Sequence, residues 1–242
     1  MVAALAESVS SPFWAANLLG MVVLFTPAFL LFLRTIAPVE EQLEERKLYL
    51  ACGGGTIFGT IAEALILVGG FDQPSPEVGY ASLMFVTPAL VLLLLWLGLR
   101  LRTFRDARHA AFYAAGFGLF FGAAHEFWKL LVLEARLGGE LPFPGGLLDA
   151  WFGVAAMVLL GGMALHLMPA LQRDSGVRTA ARLALLYLAL GFLRITAIER
   201  PEPAIDAATA LAFAAAAAAT YQRGAAALVE QGVEVGREAA KD

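Results

Sequence analysis

The hydrophobic positions of this chain are gathered into long runs instead of alternating with polar positions. Ala81–Leu99 and Ala204–Tyr221 are two examples, and both approach the roughly 20 apolar residues with which a helix crosses a bilayer core of about 30 Å. A soluble protein would be left with apolar faces that it could not cover. The runs also lack the period-two alternation of a membrane β-barrel. The pattern therefore predicts an all-α integral membrane protein.

Charged and proline-rich segments divide these runs into seven predicted transmembrane helices. Phe71–Gly79, for example, contains Pro74 and Pro76 and is typical of a loop. We expect one seven-helix domain over residues 1–223 and a charged, alanine-rich tail over residues 224–242, which either extends the last helix or is solvated. The predicted helices are Pro12–Leu33, Leu48–Gly70, Tyr80–Leu101, Ala110–Leu133, Leu147–Leu171, Ala180–Ile198 and a last one from Ala204 past Tyr221.

Basic residues are concentrated in alternate loops. The loops of one set, together with the tail, hold Arg34, Arg46, Lys47, Arg100, Arg102, Arg105, Arg108, Arg173, Arg178, Arg182, Arg223, Arg237 and Lys241. The opposite loops hold Arg136 and Arg200. Because cytoplasmic loops are enriched in Lys and Arg, we expect the N-terminus outside, the C-terminus inside, and a multi-pass protein of the cell membrane.

Composition agrees with this assignment and narrows the partners. Of the 242 residues, 60% are hydrophobic and 16% are charged, and the net charge is −4. The single cysteine, Cys52, cannot form an internal disulfide or a zinc cluster. We expect the lipid bilayer and a second copy of the chain or other membrane proteins as partners, and no nucleic acid.

The third predicted helix resembles a motif of the microbial rhodopsin family. It begins Tyr-Ala-Ser-Leu-Met-Phe-Val-Thr-Pro at residue 80, whereas the family motif reads Tyr-Ala-Asp-Trp-Leu-Phe-Thr-Thr-Pro. The positions that match in register are Tyr80, Ala81, Phe85, Thr87 and Pro88. The resemblance implies a microbial-rhodopsin-like bundle of seven helices, in agreement with the span count.

The residues that handle retinal in that family are replaced here. The family's Schiff-base lysine lies in the last helix within Asp-x-x-x-Lys-x-x-Phe, and Asp206 and Phe213 keep this spacing around Ala210. Ser82 stands in place of the counterion carboxylate, and Leu83 in place of a tryptophan that packs against retinal. The chain's lysines are Lys47, Lys129 and Lys241. We therefore expect no covalently bound retinal.

Ionisable residues inside membrane helices are candidates for function because their burial is unfavourable. Glu63 lies near the middle of the second predicted helix. The structural interpretation is a protonated Glu63 that is hydrogen-bonded to a neighbouring helix, for example to Ser82 or Thr87. The functional interpretation is a proton or cation site.

A second polar group is predicted in the outer halves of helices four to six. His125, Glu126 and Lys129 follow one another on helix four, and Asp149 and Arg194 are expected at similar depth. This group either joins helices or forms an entrance for a ligand or an ion, and a displaced Schiff base on Lys129 is a further alternative. A metal-dependent intramembrane hydrolase would need His166 beside His125 and Glu126, and the predicted topology separates them. We expect no metal and no enzyme.

Small residues make close helix packing possible in three of the predicted helices. Gly55 and Gly59, and Gly118 and Gly122, repeat the spacing of small residues that lets helices approach. The last helix contains an unbroken alanine run from residue 214 to residue 219. Its neighbours either close over that space or leave a groove for a noncovalent lipid, carotenoid or retinoid. The candidate pocket residues are Ser82, Leu83, Val86, Thr87, Ala210 and Ala214.

We therefore expect an opsin-like membrane protein without covalent retinal that acts as an accessory, assembly or sensory partner of other membrane components. One alternative is transport of a proton, a small ion or a small molecule through Glu63 and the outer polar group. Another is noncovalent binding of an apolar ligand. The tyrosine and tryptophan residues near helix ends are expected to form an interfacial belt.

Overall fold

The computed structural model describes residues 12–71, 85–105, 107, 109–136, 145–173, 175–199 and 203–239. Throughout these ranges every regular element is a helix, so the prediction of an all-α protein is confirmed for them. In chain order the elements are α1 (Pro12–Ile36), a 3₁₀ helix (Ala37–Gln42), α2 (Glu45–Val68), α3 (Thr87–Leu99), α4 (Arg102–Arg105), α5 (Ala110–Arg136), α6 (Gly145–Gln172), α7 (Gly176–Glu199) and α8 (Pro203–Ala239).

Five helical stretches are long and apolar enough to cross a membrane. They are Gly20–Gln42, Glu45–Val68, Leu148–Gln172, Gly176–Leu193 and Ala204–Leu228. The α3 helix is equally apolar but has only 13 residues in the described part of the chain. The chain is therefore a multi-pass helical membrane protein.

The first helix ends later than predicted, at Ile36 instead of Leu33. A 3₁₀ helix with Pro38 in its first turn then follows α1, where proline needs no hydrogen-bond acceptor for a backbone N–H. The predicted beginning of the third helix, Tyr80, lies outside the described residues; Phe85 and Val86 are π-helical and lead into α3. At the other end of the chain, α8 continues through Ala239, so residue 224 lies inside a helix.

The centre of the bundle is formed by α5 and α6. α5 packs against α1, α2 and α6, and α6 also packs against α8. Apart from Phe120, every residue from Ala110 to Glu126 is buried. Because α5 is shielded by its neighbours, it can carry polar side chains that would be unfavourable in contact with lipid.

Glycines set the closest approach between α2 and α5. A Cβ atom on Gly55 would overlap the carbonyl oxygen of Phe117, and one on Gly59 would overlap the carbonyl oxygen of Phe121. From the first contact to the second, the residue number increases by four on α2 and also by four on α5. The two helices therefore run parallel. The small-residue spacing predicted from the sequence thus brings the backbones of α2 and α5 together.

Glycines also allow close contact between α5 and α6 and between α6 and α8. Gly118 lies against Gly161, and Gly122 lies against Met157, so α5 and α6 run antiparallel. Gly162 lies against Thr220 and Tyr221, and Gly224 lies against Leu165, so α6 and α8 run parallel.

These directions give the bundle two distinct ends. The arginine end is the one at which α1 and α3 finish and α2 begins, and it holds Arg34, Arg46, Arg100, Arg173 and Arg223. The opposite end, where α2 finishes at Val68 and α6 begins, is called the far end below.

Candidate functional site

The register of α2 on α5 brings Glu63 to His125. Gly55 and Gly59 meet Phe117 and Phe121, and one further turn places the Glu63 carboxylate opposite the His125 ring. The distance from Glu63 Oε2 to His125 Nδ1 is 3.0 Å. Glu63 is five residues from the last residue of α2, about 7.5 Å along the axis, so it lies in the far-end third of the helix and not near the middle as predicted.

Both partners of this contact are shielded from solvent. The side chain of Glu63 is 4% exposed and that of His125 is 1% exposed. Although the atoms are 3.0 Å apart, Nδ1 makes no well-aligned hydrogen bond, so this is a close polar contact in which the angle, not the distance, is unfavourable.

Two further ionisable groups continue from His125 toward the far end. Glu126 Oε1 lies 3.8 Å from His125 Nε2, and Glu126 Oε2 lies 3.4 Å from Lys129 Nζ. Glu126 is 3% exposed, whereas Lys129 is 37% exposed. Glu63, His125, Glu126 and Lys129 therefore form a series from a buried site to a partly open surface, which we call the ionisable chain.

The third wall of this site is α6. A Cβ atom on Gly153 would lie 3.8 Å from Glu126 Oε2, so the absence of a side chain at Gly153 leaves room for the carboxylate. Asp149 is one turn nearer the far end on the same face of α6, and the antiparallel register places it beside Lys129 and Leu130. The predicted proximity of Asp149 to this polar group therefore agrees with the register. Arg194 lies in α7, and its side chain is outside the described residues.

On the other side of Glu63, aromatic rings close the interface. Phe117 and Phe121 are completely buried and stack with ring centroids 6.3 Å apart. Phe58 and Phe104 pack against Phe117 at 5.7 Å and 5.9 Å. These four rings, which we call the phenylalanine plug, lie between Glu63 and the arginine end. The site is thus approached from the far end.

The ionisable chain is suited to holding a proton. Carboxyl, imidazole and ammonium groups can all take up or release a proton, and Asp149 adds a further carboxyl group beside Lys129. An imidazole can take a proton at one ring nitrogen and release one at the other. Metal binding is less suitable, because the two carboxylates face opposite ring nitrogens and do not converge on one point.

The nearest polar neighbour of Glu63 in the described part of the chain is not one of the two suggested from the sequence. His125 is the neighbour of Glu63, and the buried hydroxyl of Thr87 has no hydrogen-bond partner in the described part of the chain. Ser82, the other suggested partner, lies outside the described residues, as does Leu83.

The residues of the predicted apolar pocket are divided between two helices. Val86 and Thr87 belong to the beginning of α3, which packs against α2, α6 and α7. Ala210 and Ala214 belong to α8, which packs mainly against α6. Trp151 of α6 occupies the neighbourhood of Ala210, whose carbonyl oxygen lies 3.5 Å from the indole Nε1. These two helices do not share a major interface in the described part of the chain, and the apolar pocket stays a prediction.

The two membrane-embedded histidines lie far apart. His166 Nε2 is 3.1 Å from the carbonyl oxygen of Thr220 in α8. The register of α5 on α6 places His166 opposite Tyr113, twelve residues before His125, or about 18 Å along the axis. The expected separation of His166 from His125 and Glu126 therefore agrees with the described geometry.

Sequence reasoning missed the Glu63–His125 contact. It placed Glu63 alone in one helix and His125 in a different polar group. Glu63 is four residues beyond Gly59, and His125 is four residues beyond Phe121, so the contact follows from the packing of Gly59 on Phe121, which the sequence alone does not reveal.

Comparison of the chain with known protein families, with curated proteins and with solved structures gives no significant match.

Proposed function

We propose that this protein is a proton-coupled membrane transport protein whose proton-binding site is the Glu63–His125 pair. The observation that carries the proposal is the 3.0 Å contact between Glu63 and His125. This contact is the buried end of the ionisable chain, whose other end is the partly exposed Lys129. An isolated carboxylate in such a place would be strongly destabilising. A buried ion pair is also seldom the most stable way to join two helices, which favours a functional role.

The proton path follows from the order of the groups. A proton from the far end is relayed by Glu126 to His125 Nε2, and His125 Nδ1 then releases one to Glu63. The 3.8 Å step between Glu126 and His125 is longer than a hydrogen bond, and it closes by rotation of the carboxyl group or through a bridging water. Release toward the arginine end requires α2 to shift on α5, because the phenylalanine plug closes the interface.

The proposal includes seven membrane spans with the arginine end in the cytoplasm. The number of seven spans is supported by the five long apolar helices together with the short apolar α3 and the central α5. The collection of arginines at one end of the bundle supports the orientation, since cytoplasmic loops retain Lys and Arg. In that orientation the ionisable chain faces the outside of the cell membrane.

The test is proton flux in vesicles. Purified protein is reconstituted with a pH-sensitive dye inside, a pH gradient is imposed, and the membrane potential is clamped with potassium and valinomycin. We expect wild-type protein to dissipate the gradient and Glu63→Gln to reduce the rate at least tenfold. Glu40→Gln, which removes an exposed carboxylate at the arginine end, is the matched control and retains the flux.

Absence of flux in wild-type vesicles both with and without added small solutes, with the protein shown to be folded and inserted, would refute the proposal. Equal flux from Glu63→Gln and Glu40→Gln would also refute it. If flux appears only when a small solute is added on one side, the protein is a symporter or an antiporter, and the proton site stands.

The resemblance to microbial rhodopsins and the accessory-partner role remain predictions from the sequence. An absorption spectrum with and without added retinal, together with an intact mass, tests for noncovalent retinoid or carotenoid and for covalent attachment. Extraction in a mild detergent tests the partner role, which predicts a complex or homo-oligomer and is contradicted by a monomer.

A further inference from the structure

A groove separates α1 from α8 near the arginine end. Its volume is about 400 Å³, within the range of small-molecule sites. The two helices make few close contacts, and the Tyr221 hydroxyl bridges the gap to Thr35 Oγ1 at 2.6 Å. Val158 of α6 contributes to the wall. The space exists because the α8 side is lined by small residues, namely Ala218, Ala225 and Ala226.

The groove is apolar along its length and has polar groups only toward the arginine end. Its far-end part is lined by Leu31, Val158 and Ala218, whereas Arg34, Thr35 and Gln222 join the apolar residues nearer the arginine end. The order follows from helix direction, since both α1 and α8 run toward the arginine end. An occupant that fits has a hydrocarbon part pointing into the membrane and a polar part beside Arg34.

The charge of the lining favours an anion. Arg34 is exposed at the mouth of the groove, and the lining contains neither aspartate nor glutamate. Arg223 is exposed next to Gln222. Basic residues at this depth attract anionic lipid headgroups by about 1 kcal/mol each.

We propose that the groove binds an anionic phospholipid, with its phosphate at Arg34 and the beginning of one acyl chain along Leu31 and Ala218. This inference does not depend on the ionisable chain, which lies at the other end of the bundle. A lipid held there would fill the gap between the first and last membrane helices and so support the Tyr221–Thr35 bridge.

The experiment counts bound lipid by native mass spectrometry of the purified protein in detergent. Phosphatidylglycerol, phosphatidylcholine and inorganic phosphate are added separately. We expect phosphatidylglycerol to bind in preference to phosphatidylcholine and Arg34→Gln to weaken its binding about fivefold. Arg182→Gln removes an exposed arginine of α7 outside the groove and is the matched control without effect.

A second variant tests the hydrocarbon part of the site. Ala218→Leu fills the apolar half of the groove without a change of charge and is expected to weaken phosphatidylglycerol binding. Equal binding by Arg34→Gln and Arg182→Gln would overturn the proposal, as would equal binding of the two lipids. Displacement of bound lipid by inorganic phosphate alone would show that the groove recognises a free anion, which also overturns it.

Discussion

Two parallel helix pairs in this molecule are joined in the same way but differ in chemistry. α2 approaches α5 through Gly55 and Gly59, and α6 approaches α8 through Gly162. Each pair places one histidine at its interface. His125 faces the Glu63 carboxylate at 3.0 Å, whereas His166 faces the backbone carbonyl of Thr220 at 3.1 Å.

The difference separates a histidine with a backbone partner from one with a carboxylate partner. A backbone carbonyl can only accept a hydrogen bond, so His166 contacts it as a donor. A carboxylate can itself take up a proton, and in the proposed function Glu63 and His125 exchange one. Glycine packing thus determines how close two helices lie, and the next residue in register determines what the interface can do.

The largest expected effect comes from filling the glycine contact. Gly59→Ala is expected to lower the free energy of unfolding by about 2–3 kcal/mol, because the new Cβ would overlap the Phe121 carbonyl. Gly53→Ala on the same helix meets no atom within 4 Å and is expected to be neutral or slightly stabilising. Denaturation in mixed micelles measures both.

Gly162→Ala extends this test to the other helix pair. A Cβ atom there would lie 2.7 Å from the Tyr221 backbone nitrogen, so a loss of stability similar to that of Gly59→Ala is expected. If Gly59→Ala and Gly53→Ala were equally stable, the proposed close packing of α2 on α5 would be wrong.

A double-mutant cycle separates the two histidines. Glu63→Gln and His125→Gln are expected to be non-additive by about 1–3 kcal/mol, since groups in contact are energetically coupled. Glu63→Gln and His166→Gln are expected to be additive within about 0.5 kcal/mol, because their sites are distant. Unfolding of the three single and two double variants provides the measurement, and additivity in both cycles would contradict the distinction between the two histidines.

Much of the helical framework could be predicted from the sequence because membrane helices leave a strong local signal. The beginnings of the helices at Pro12 and Ala110 agree with the structure, and α6 differs from its prediction by only one or two residues at each end. The beginning of α7 at Gly176 was missed by four residues, because Arg178 and Arg182 were assigned to the preceding loop.

The candidate site could be predicted only in part because it depends on packing between helices. His125, Glu126 and Lys129 follow from neighbouring positions on one helix. Glu63 joins them only through the register of α2 on α5, which no local pattern reveals. The two tyrosines Tyr113 and Tyr221, expected in an interfacial belt, are buried to 2% and 7% exposure because their hydroxyl groups find partners inside the bundle.

These buried tyrosines provide the smallest and last comparison, between the α2–α5 pair and the bridge from α8 to α1. Tyr113 of α5 accepts a hydrogen bond from the Glu44 backbone N–H at 2.9 Å, and the Tyr221 hydroxyl of α8 meets Thr35 at 2.6 Å. Thr35 Oγ1 also donates to the Leu31 carbonyl at 2.8 Å. Removing the Tyr221 hydroxyl therefore leaves Thr35 satisfied, whereas removing that of Tyr113 leaves a backbone donor without its acceptor.

Tyr221→Phe is accordingly expected to lower the free energy of unfolding by about 1 kcal/mol, and Tyr113→Phe by about 2 kcal/mol. Tyr49→Phe, at an exposed position of α2, is the control and should have no effect. A larger loss for Tyr221→Phe than for Tyr113→Phe would mean that the bridge between α1 and α8 carries more of the stability than its hydrogen bonds account for. The additional loss of free energy would then come from the occupant of the groove beside Tyr221. Repeating the unfolding measurement with added phosphatidylglycerol would show this contribution.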